Sequence, residues 1–130
     1  MNRNGGGGDI ANYDPTSVGV PDFTFDDDGA ELFGQFAYRV TGEVAADVDP
    51  TFRDNGTDTC ATGSSNTAGA CWFNPEPVGG AETIINRGSA TAAGGSTTTL
   101  NFRVEVPPNP SPTIPDGTYT ATATLTATTN

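Results

Sequence analysis

Two segments of the chain alternate strictly between apolar and polar side chains, and this pattern constrains the fold more than any other feature. A period of two places successive side chains on opposite faces of a β-strand, so each segment is expected to bury one face and expose the other. In the first segment, residues 97–107, the apolar row consists of Leu100, Phe102, Val104 and Val106.

The second segment, residues 117–128, has threonine at every even position from Thr118 to Thr128. Threonine suits such a strand because its branched Cβ fits the pleat while its hydroxyl stays hydrated. We expect the threonine row to face water, with an ice-binding row of hydroxyls and an O-glycosylated surface as alternatives. The row expected to face inward consists of Tyr119, Ala121, Ala123, Leu125 and Ala127.

The remaining composition also favours short strands joined by turns. The 17 glycines and 10 prolines disfavour long helices. Gly34, inside an apolar run, predicts a bulge or the close approach of another segment. Further strands are predicted at residues 17–25, 31–42, 43–48 and 81–86.

These strands predict an all-β fold, an antiparallel two-sheet sandwich of immunoglobulin-like or jelly-roll type. A small closed barrel is the alternative. Residues 17–130 form one domain in this interpretation, and residues 1–16, with four consecutive glycines, form a flexible N-terminal arm.

Two cysteines, Cys60 and Cys71, bracket a polar ten-residue spacer. A metal site of the usual kind needs four ligands, and the chain has no histidine to add to the two thiols. We therefore predict a disulfide, worth about 3 kcal/mol by the chain-entropy model. A disulfide implies an oxidising, extracellular or cell-surface location.

The charge balance excludes several classes of function. The chain has 16 acidic and five basic residues, a net charge of −11, and no histidine or lysine. Such a surface repels phosphates, so neither nucleic acid nor anionic lipid is an expected partner. Without histidine or lysine the usual nucleophilic systems lack a base or a Schiff-base amine, and we expect no enzymatic activity.

No stretch approaches the roughly 18 apolar residues of a membrane span, so no membrane insertion is predicted. Residues 1–15 also lack the apolar region of a secretion signal. That beginning is expected of a mature exported chain or of a virion component.

Three further features have alternative interpretations. Calcium, the one cofactor considered, could be bound by acidic clusters, although solvated turns are the simpler reading. Asn55, in Asn-Gly-Thr, begins either a glycosylation sequon or a turn. Trp72 is either a core anchor beside the disulfide or a platform for a sugar. The first acidic cluster consists of Asp26, Asp27, Asp28 and Glu31, and the second of Asp47, Asp49, Asp54 and Asp58.

Residues 100–128, LNFRVEVPPNPSPTIPDGTYTATATLTAT, resemble the closing hairpin of secreted immunoglobulin-like subunits. Spore-coat-U-type pilins and related surface-filament proteins end in a similar way. The resemblance implies a structural subunit that shares strands with copies of itself in a filament or surface layer. The alternatives are a carbohydrate- or protein-binding module that uses the 49–80 loops, and a virion decoration or fibre protein.

The N-terminal region offers a strand for such sharing. A sandwich with an open edge accepts an extended segment from another chain. Residues 1–25 would then be the assembly arm, or else an ordinary tail followed by a first strand within the same molecule. The residues to insert would be Val18, Val20, Phe23 and Phe25.

Overall fold

A computed structural model describes residues 2–3, 10–25, 33–75, 80–91 and 93–128. This part of the chain is rich in β-structure, as predicted, and its only helical elements are two single 3₁₀ turns, Ala45–Asp47 and Pro50–Phe52. The strands are β1 (Asn2–Arg3), β2 (Ala11–Asn12), β3 (Gln35–Gly42), β4 (Thr98–Glu105) and β5 (Tyr119–Thr120).

β3 and β4 form the framework of the molecule. They pair antiparallel over eight positions, from Gln35 opposite Glu105 to Gly42 opposite Thr98. Directly opposite residues share a face of the sheet. The even-numbered face therefore combines the central row of β3 with the apolar row of β4, and the odd-numbered face carries Ala37 and Arg103.

β3 is the central strand of its sheet. On the side away from β4, it pairs in parallel with β2, Ala11 opposite Gln35. Further along the same side, Tyr38 and Phe73 exchange two backbone hydrogen bonds, of 3.0 and 2.8 Å. The sheet order is β2–β3–β4, so within the described residues β4 is an edge strand.

The larger core cluster lies on part of the even-numbered face. The 3₁₀ turns bring Val48 and Phe52 there, and both are fully buried. Asp49 caps the second turn by accepting a hydrogen bond of 3.0 Å from the Thr51 N–H. Arg53 fixes the first turn by donating to the Val48 and Ala46 carbonyls. The buried residues of the cluster are Tyr38, Val40, Val48, Phe52 and Phe73.

The odd-numbered face is covered by the N-terminal region and by Trp72. Tyr13 and Ala37 are buried there with Trp72, and Phe25 packs against them. The ring of Phe25 stacks on Tyr13 at 4.8 Å and meets Trp72 edge-on at 5.5 Å. Residues 10–16 of the predicted flexible arm therefore include a core residue, while residues 4–9 lie outside the described part of the chain.

Several predicted strands are shorter in the structure. Residues 43–48 contain a 3₁₀ turn, and residues 81–86 contribute one bridge, Ile85 to Val48. Residues 17–25 form only isolated bridges, one of them from Asp22 to Trp72. The bridges of residues 17–25 and 81–86 join short stretches outside the named strands, so each makes a few backbone contacts instead of a ladder.

The largest difference concerns residues 117–128. Only β5 is a strand, and it pairs antiparallel with β1, Asn2 opposite Thr120. Residues 121–128 are exposed and belong to no strand, so the row predicted to face inward does not reach a core. Leu125 is 68% exposed. The described residues thus form one three-stranded sheet and one two-residue ladder.

Candidate functional site: an open strand edge and its groove

The apolar row of β4 is the most exposed hydrophobic feature of the sheet. Phe102 is 51% exposed and Val104 43%, and Val106 just beyond the strand is 49% exposed. A large apolar side chain gains roughly 1.5–3 kcal/mol when it passes from full exposure to full burial. Because each of these side chains is about half exposed, complete burial would contribute roughly half of that free energy again.

Leu100 and Phe102 of this row line a groove of about 940 Å³. The rings of Phe36 and Phe102 stack nearly parallel on its floor, with centroids 5.8 Å apart. Among the described residues that line it, Glu82 is the only charged one. Tyr38, Leu100 and Ile84 add to the apolar lining, and Pro75, Ala81 and residues 119–126 also line the groove.

We call residues 119–128 the threonine segment. Its start is fixed, because the hydroxyl of Tyr119 donates a hydrogen bond of 2.8 Å to the Pro115 carbonyl and β5 pairs with β1. Beyond Thr120 the segment borders the groove without joining the sheet. It carries no charged residue.

The opposite face of the sheet is closed by arginines packed on aromatic rings. The guanidinium carbon of Arg103 lies 4.4 Å from the centre of the Phe25 ring, and that of Arg39 lies 5.5 Å from the centre of the Trp72 ring. Arg103 also pairs with Glu105. Burial lowers the pKa of Arg39 below its ordinary value. In the part of the chain that the structure describes, this face is therefore covered by aromatic and guanidinium groups.

Trp72 is a core residue in the structure. It is 8% exposed, and its indole N–H donates a hydrogen bond of 2.9 Å to the Gly69 carbonyl. Its neighbours are Tyr13, Ala37 and Phe25, whereas the disulfide belongs to a separate cluster. A ring buried in this way presents no face on which a sugar could stack.

The four residues proposed for the assembly arm fall into two groups. Val18 is fully exposed in a turn in which the Val20 N–H bonds the Ser17 carbonyl at 3.0 Å. Phe23 packs on the disulfide cluster, and Phe25 packs on the Tyr13 cluster. The two aromatic residues thus pack, partly buried, against core clusters of their own chain.

The cysteine loop is held together by a disulfide and by a buried carboxylate. Cys60 and Cys71 are bonded, which confirms the predicted pair. The carboxylate of Asp54 is fully buried. It accepts hydrogen bonds from the Thr67 N–H at 2.6 Å, the Thr67 hydroxyl at 2.8 Å and the Gly56 N–H at 2.7 Å. Burial raises the pKa of Asp54, but these bonds outweigh it and the net pKa is lowered.

The Asn-Gly-Thr sequence forms a tight turn at the surface. The side-chain oxygen of Asn55 accepts from the N–H groups of Thr57, Asp58 and Thr59, at 3.0–3.1 Å. Its amide nitrogen donates to Asp58 at 3.0 Å. Hydrogen bonds from Asn55, Thr59 and Thr57 lower the pKa of Asp58. The folded turn therefore uses the same amide that a glycan would occupy.

The two acidic clusters have different outcomes. Asp26, Asp27, Asp28 and Glu31 lie outside the described residues. Members of the second cluster are spread over separate interactions, since Asp47 pairs with Arg87 and Asp54 with Thr67. In the described ranges no three acidic, cysteine or histidine side chains are grouped so that they could hold a metal ion.

The groove and the β4 edge could not be found from the sequence, because their lining comes from four separate regions of the chain. The one signal is the alternation of residues 97–107, which predicts an apolar face but not whether that face is covered.

No helix in the described part of the chain is long and apolar enough to cross a membrane. No protein-family model, curated protein or solved structure matches the sequence.

Proposed function

We propose that this chain is a non-enzymatic structural subunit that assembles with copies of itself, through β-strand edges, into a filament or surface layer. The observation that carries the proposal is β4, an eight-residue edge strand whose apolar row is about half exposed. A further strand laid along β4 would pair its free backbone groups and cover Phe102 and Val104.

β4 lacks the usual protection of an edge strand. Natural edges are kept short, or carry lysine, proline or bulges that prevent pairing with another chain. β4 contains neither lysine nor proline, and its register with β3 runs without a break from Thr98 to Glu105. Its two charged residues, Arg103 and Glu105, lie on the opposite face and pair with each other. Within the described residues, the edge is thus available for strand addition.

The two-sheet sandwich predicted from the sequence becomes, in this proposal, a property of the assembly. One sheet is complete in a single chain apart from its β4 edge, and the second consists of a two-residue ladder. A strand contributed by a neighbouring copy would extend this sheet from three strands to four, within the usual size of a sheet. The disulfide supports a location outside the cytosol, where such bonds persist.

Blocking the edge tests the proposal. The double variant Phe102→Lys, Val104→Lys places two charges along β4 at positions that are already half exposed, so the isolated chain should still fold. We expect the unmodified protein to form polymers in negative-stain images and in sedimentation velocity, and the double variant to sediment as a 13.3 kDa monomer.

The matched control is Val18→Lys, the same change at a fully exposed valine away from the groove. It should assemble as the unmodified protein does. An unmodified protein that stays monomeric up to millimolar concentration contradicts the proposed function. Equal assembly of the double variant would show that β4 is not the edge in use.

A further inference from the structure

We propose that the occupant of the groove is the threonine segment of a second copy, which lies along β4 as an added strand. This inference rests on the proposed function and specifies its donor and its acceptor. The acceptor is β4 with the groove floor of Phe36, Tyr38 and Phe102. The donor is residues 121–128 of this segment, in place of the N-terminal arm, whose Phe23 and Phe25 already pack against core clusters of their own chain.

The segment has the pattern that the site requires. Its odd-numbered row is small, with Ala121 and Ala123 between Tyr119 and Leu125, and small side chains can approach a floor of stacked rings. Its even-numbered threonines would face solvent. An extended segment of eight residues spans about 27 Å, the length of the eight-residue β4.

Charge also favours this segment. Two copies that each carry a net charge of −11 repel one another over most of their surfaces. The threonine segment is uncharged, and among the described residues that line the groove only Glu82 is charged. These two surfaces can therefore come together with less repulsion than acidic parts of the chain.

The connection before the segment explains why it does not lie on β4 of its own chain. Residues 106–118 contain five prolines, which stiffen the backbone. The connection is also held at two points: Ile114 packs so closely over Gly34 that a Cβ there would lie 2.6 Å from its Cδ1, and Tyr119 bonds Pro115. After β5, the segment therefore continues as part of the groove lining and does not pair with β4.

Exchange of this kind has a defined geometry. Each copy offers one donor and one acceptor, and these are different surfaces. Contacts between different surfaces are heterologous, and they produce an open filament when the rotation between copies does not close a ring. A reciprocal exchange between two copies would instead give a closed dimer.

Complementation between two defective chains tests the inference. The donor-deleted chain ends at Thr120 and keeps β5, and the acceptor-blocked chain carries Phe102→Lys with Val104→Lys. Each chain alone should be monomeric. Mixed in equal amounts, they have one intact donor and one intact acceptor between them, so we expect a one-to-one heterodimer of about twice 13.3 kDa that grows no further.

Folding of the donor-deleted chain is checked by its circular dichroism and its oxidised disulfide. A second donor variant, Ala123→Asp with Leu125→Asp, keeps the full chain and changes only exposed positions. It should be monomeric alone and should form the same one-to-one heterodimer with the acceptor-blocked chain as the donor-deleted chain does. The matched control, Thr122→Asn with Thr124→Asn, alters the row that faces solvent and should assemble as the unmodified protein does.

The outcomes separate the two proposals. If the unmodified protein assembles and both donor variants assemble equally well, another segment fills the groove: this inference fails and the proposed function stands. If the unmodified protein is monomeric and donor deletion only lowers its melting temperature, the segment closes the groove of its own chain, and both proposals fail. Monomers that bind a small apolar dye in the groove without assembling also overturn both.

Discussion

Tyr38 and Phe102 lie directly opposite each other on β3 and β4, with ring centroids 6.5 Å apart, yet Tyr38 is 8% exposed and Phe102 is 51% exposed. Both rings are on one face of one sheet. The difference arises because Tyr38, on the central strand, also packs against Phe52 and Phe73, whereas Phe102 is on β4, which is an edge strand within the described residues. At this position, burial therefore falls sharply from the central strand to the edge strand.

Alanine substitutions at these two positions should have unequal costs. Tyr38→Ala removes a buried ring, and truncation of a buried aromatic residue typically costs about 3–5 kcal/mol of unfolding free energy. Phe102→Ala removes a half-exposed ring, and we expect a loss of about 1 kcal/mol. Urea denaturation of dilute, monomeric protein measures both values. Equal losses would mean that Phe102 is covered in the monomer.

The same substitutions should rank differently in assembly. Phe102→Ala should weaken polymer formation far more than it weakens the monomer, because the added strand covers Phe102 only in the polymer. A Phe102→Ala chain that assembles at the concentration needed by the unmodified protein would contradict this ranking.

The carboxylate of Asp54 should give the cysteine loop an acid-sensitive stability. Its folded pKa is lowered, so its contribution is complete above the unfolded pKa of about 3.9 and is lost as the pH falls through the lower, folded pKa. Asp54→Asn places an amide N–H group against buried donors, and we expect a loss of about 1–3 kcal/mol at pH 7.

Thermal unfolding of both proteins between pH 7 and pH 2 measures this effect. The gap between them should narrow in acid, since the unmodified protein then loses the ionised carboxylate as well. Asp14→Asn, the same change at an exposed position, is the control and should shift stability little at any pH. A gap that is constant down to pH 2 would show that the charge of Asp54 is unimportant.

Alanine substitutions at two glycines of the cysteine loop distinguish the cost of backbone strain from the cost of a steric collision. Gly63 and Gly69 both have positive φ, at 77° and 92°, so alanine is strained at either position. A Cβ at Gly63 would collide with the Asp54 carbonyl oxygen, whereas a Cβ at Gly69 meets nothing within 4 Å.

We therefore expect Gly69→Ala to cost about 1 kcal/mol and Gly63→Ala to cost at least twice as much, since the collision adds to the strain. Calorimetric melting temperatures measure the difference. Comparable losses would mean that the loop backbone moves away from Asp54 at little cost.

Sequence patterns predict those elements that form for a local reason, such as alternating side chains or two cysteines close in the chain. β3 and β4 were recognised because their alternation matches a sheet with distinct faces, and the disulfide because two cysteines flank a short polar loop. Residues 117–128 have an equally regular pattern, but a strand also needs a neighbour, and only Tyr119–Thr120 has one in the single chain. Alternation reports which residues could share a face, not whether a partner strand is present.

The candidate site depends on long-range placement that local patterns do not contain. β3 and β4 are neighbours in the sheet but far apart in sequence, and the lining of the groove comes from regions as distant as Phe36 and Leu125. The bonds of Asp54 likewise depend on Thr67 returning beside it after the cysteine loop turns. The acidic cluster containing Asp54 suggested a cation, whereas the structure pairs this carboxylate with N–H and O–H donors.

Assembly through an uncharged strand should be promoted by salt. Copies with a net charge of −11 repel each other as they approach, and added salt shortens the range of that repulsion from about 30 Å at 0.01 M to about 10 Å at 0.1 M. The proposed contact between the threonine segment and the apolar floor contains few charges that salt could weaken. We expect the concentration at which polymers form, measured by light scattering at pH 7, to fall severalfold between 0.01 and 0.3 M sodium chloride. The chain carrying Phe102→Lys and Val104→Lys should stay monomeric at both salt concentrations, which separates strand exchange from general salting-out. Weaker assembly at the higher salt concentration would show instead that ion pairs join the copies, and residues such as Arg103 and Glu105 would then be the contact to test.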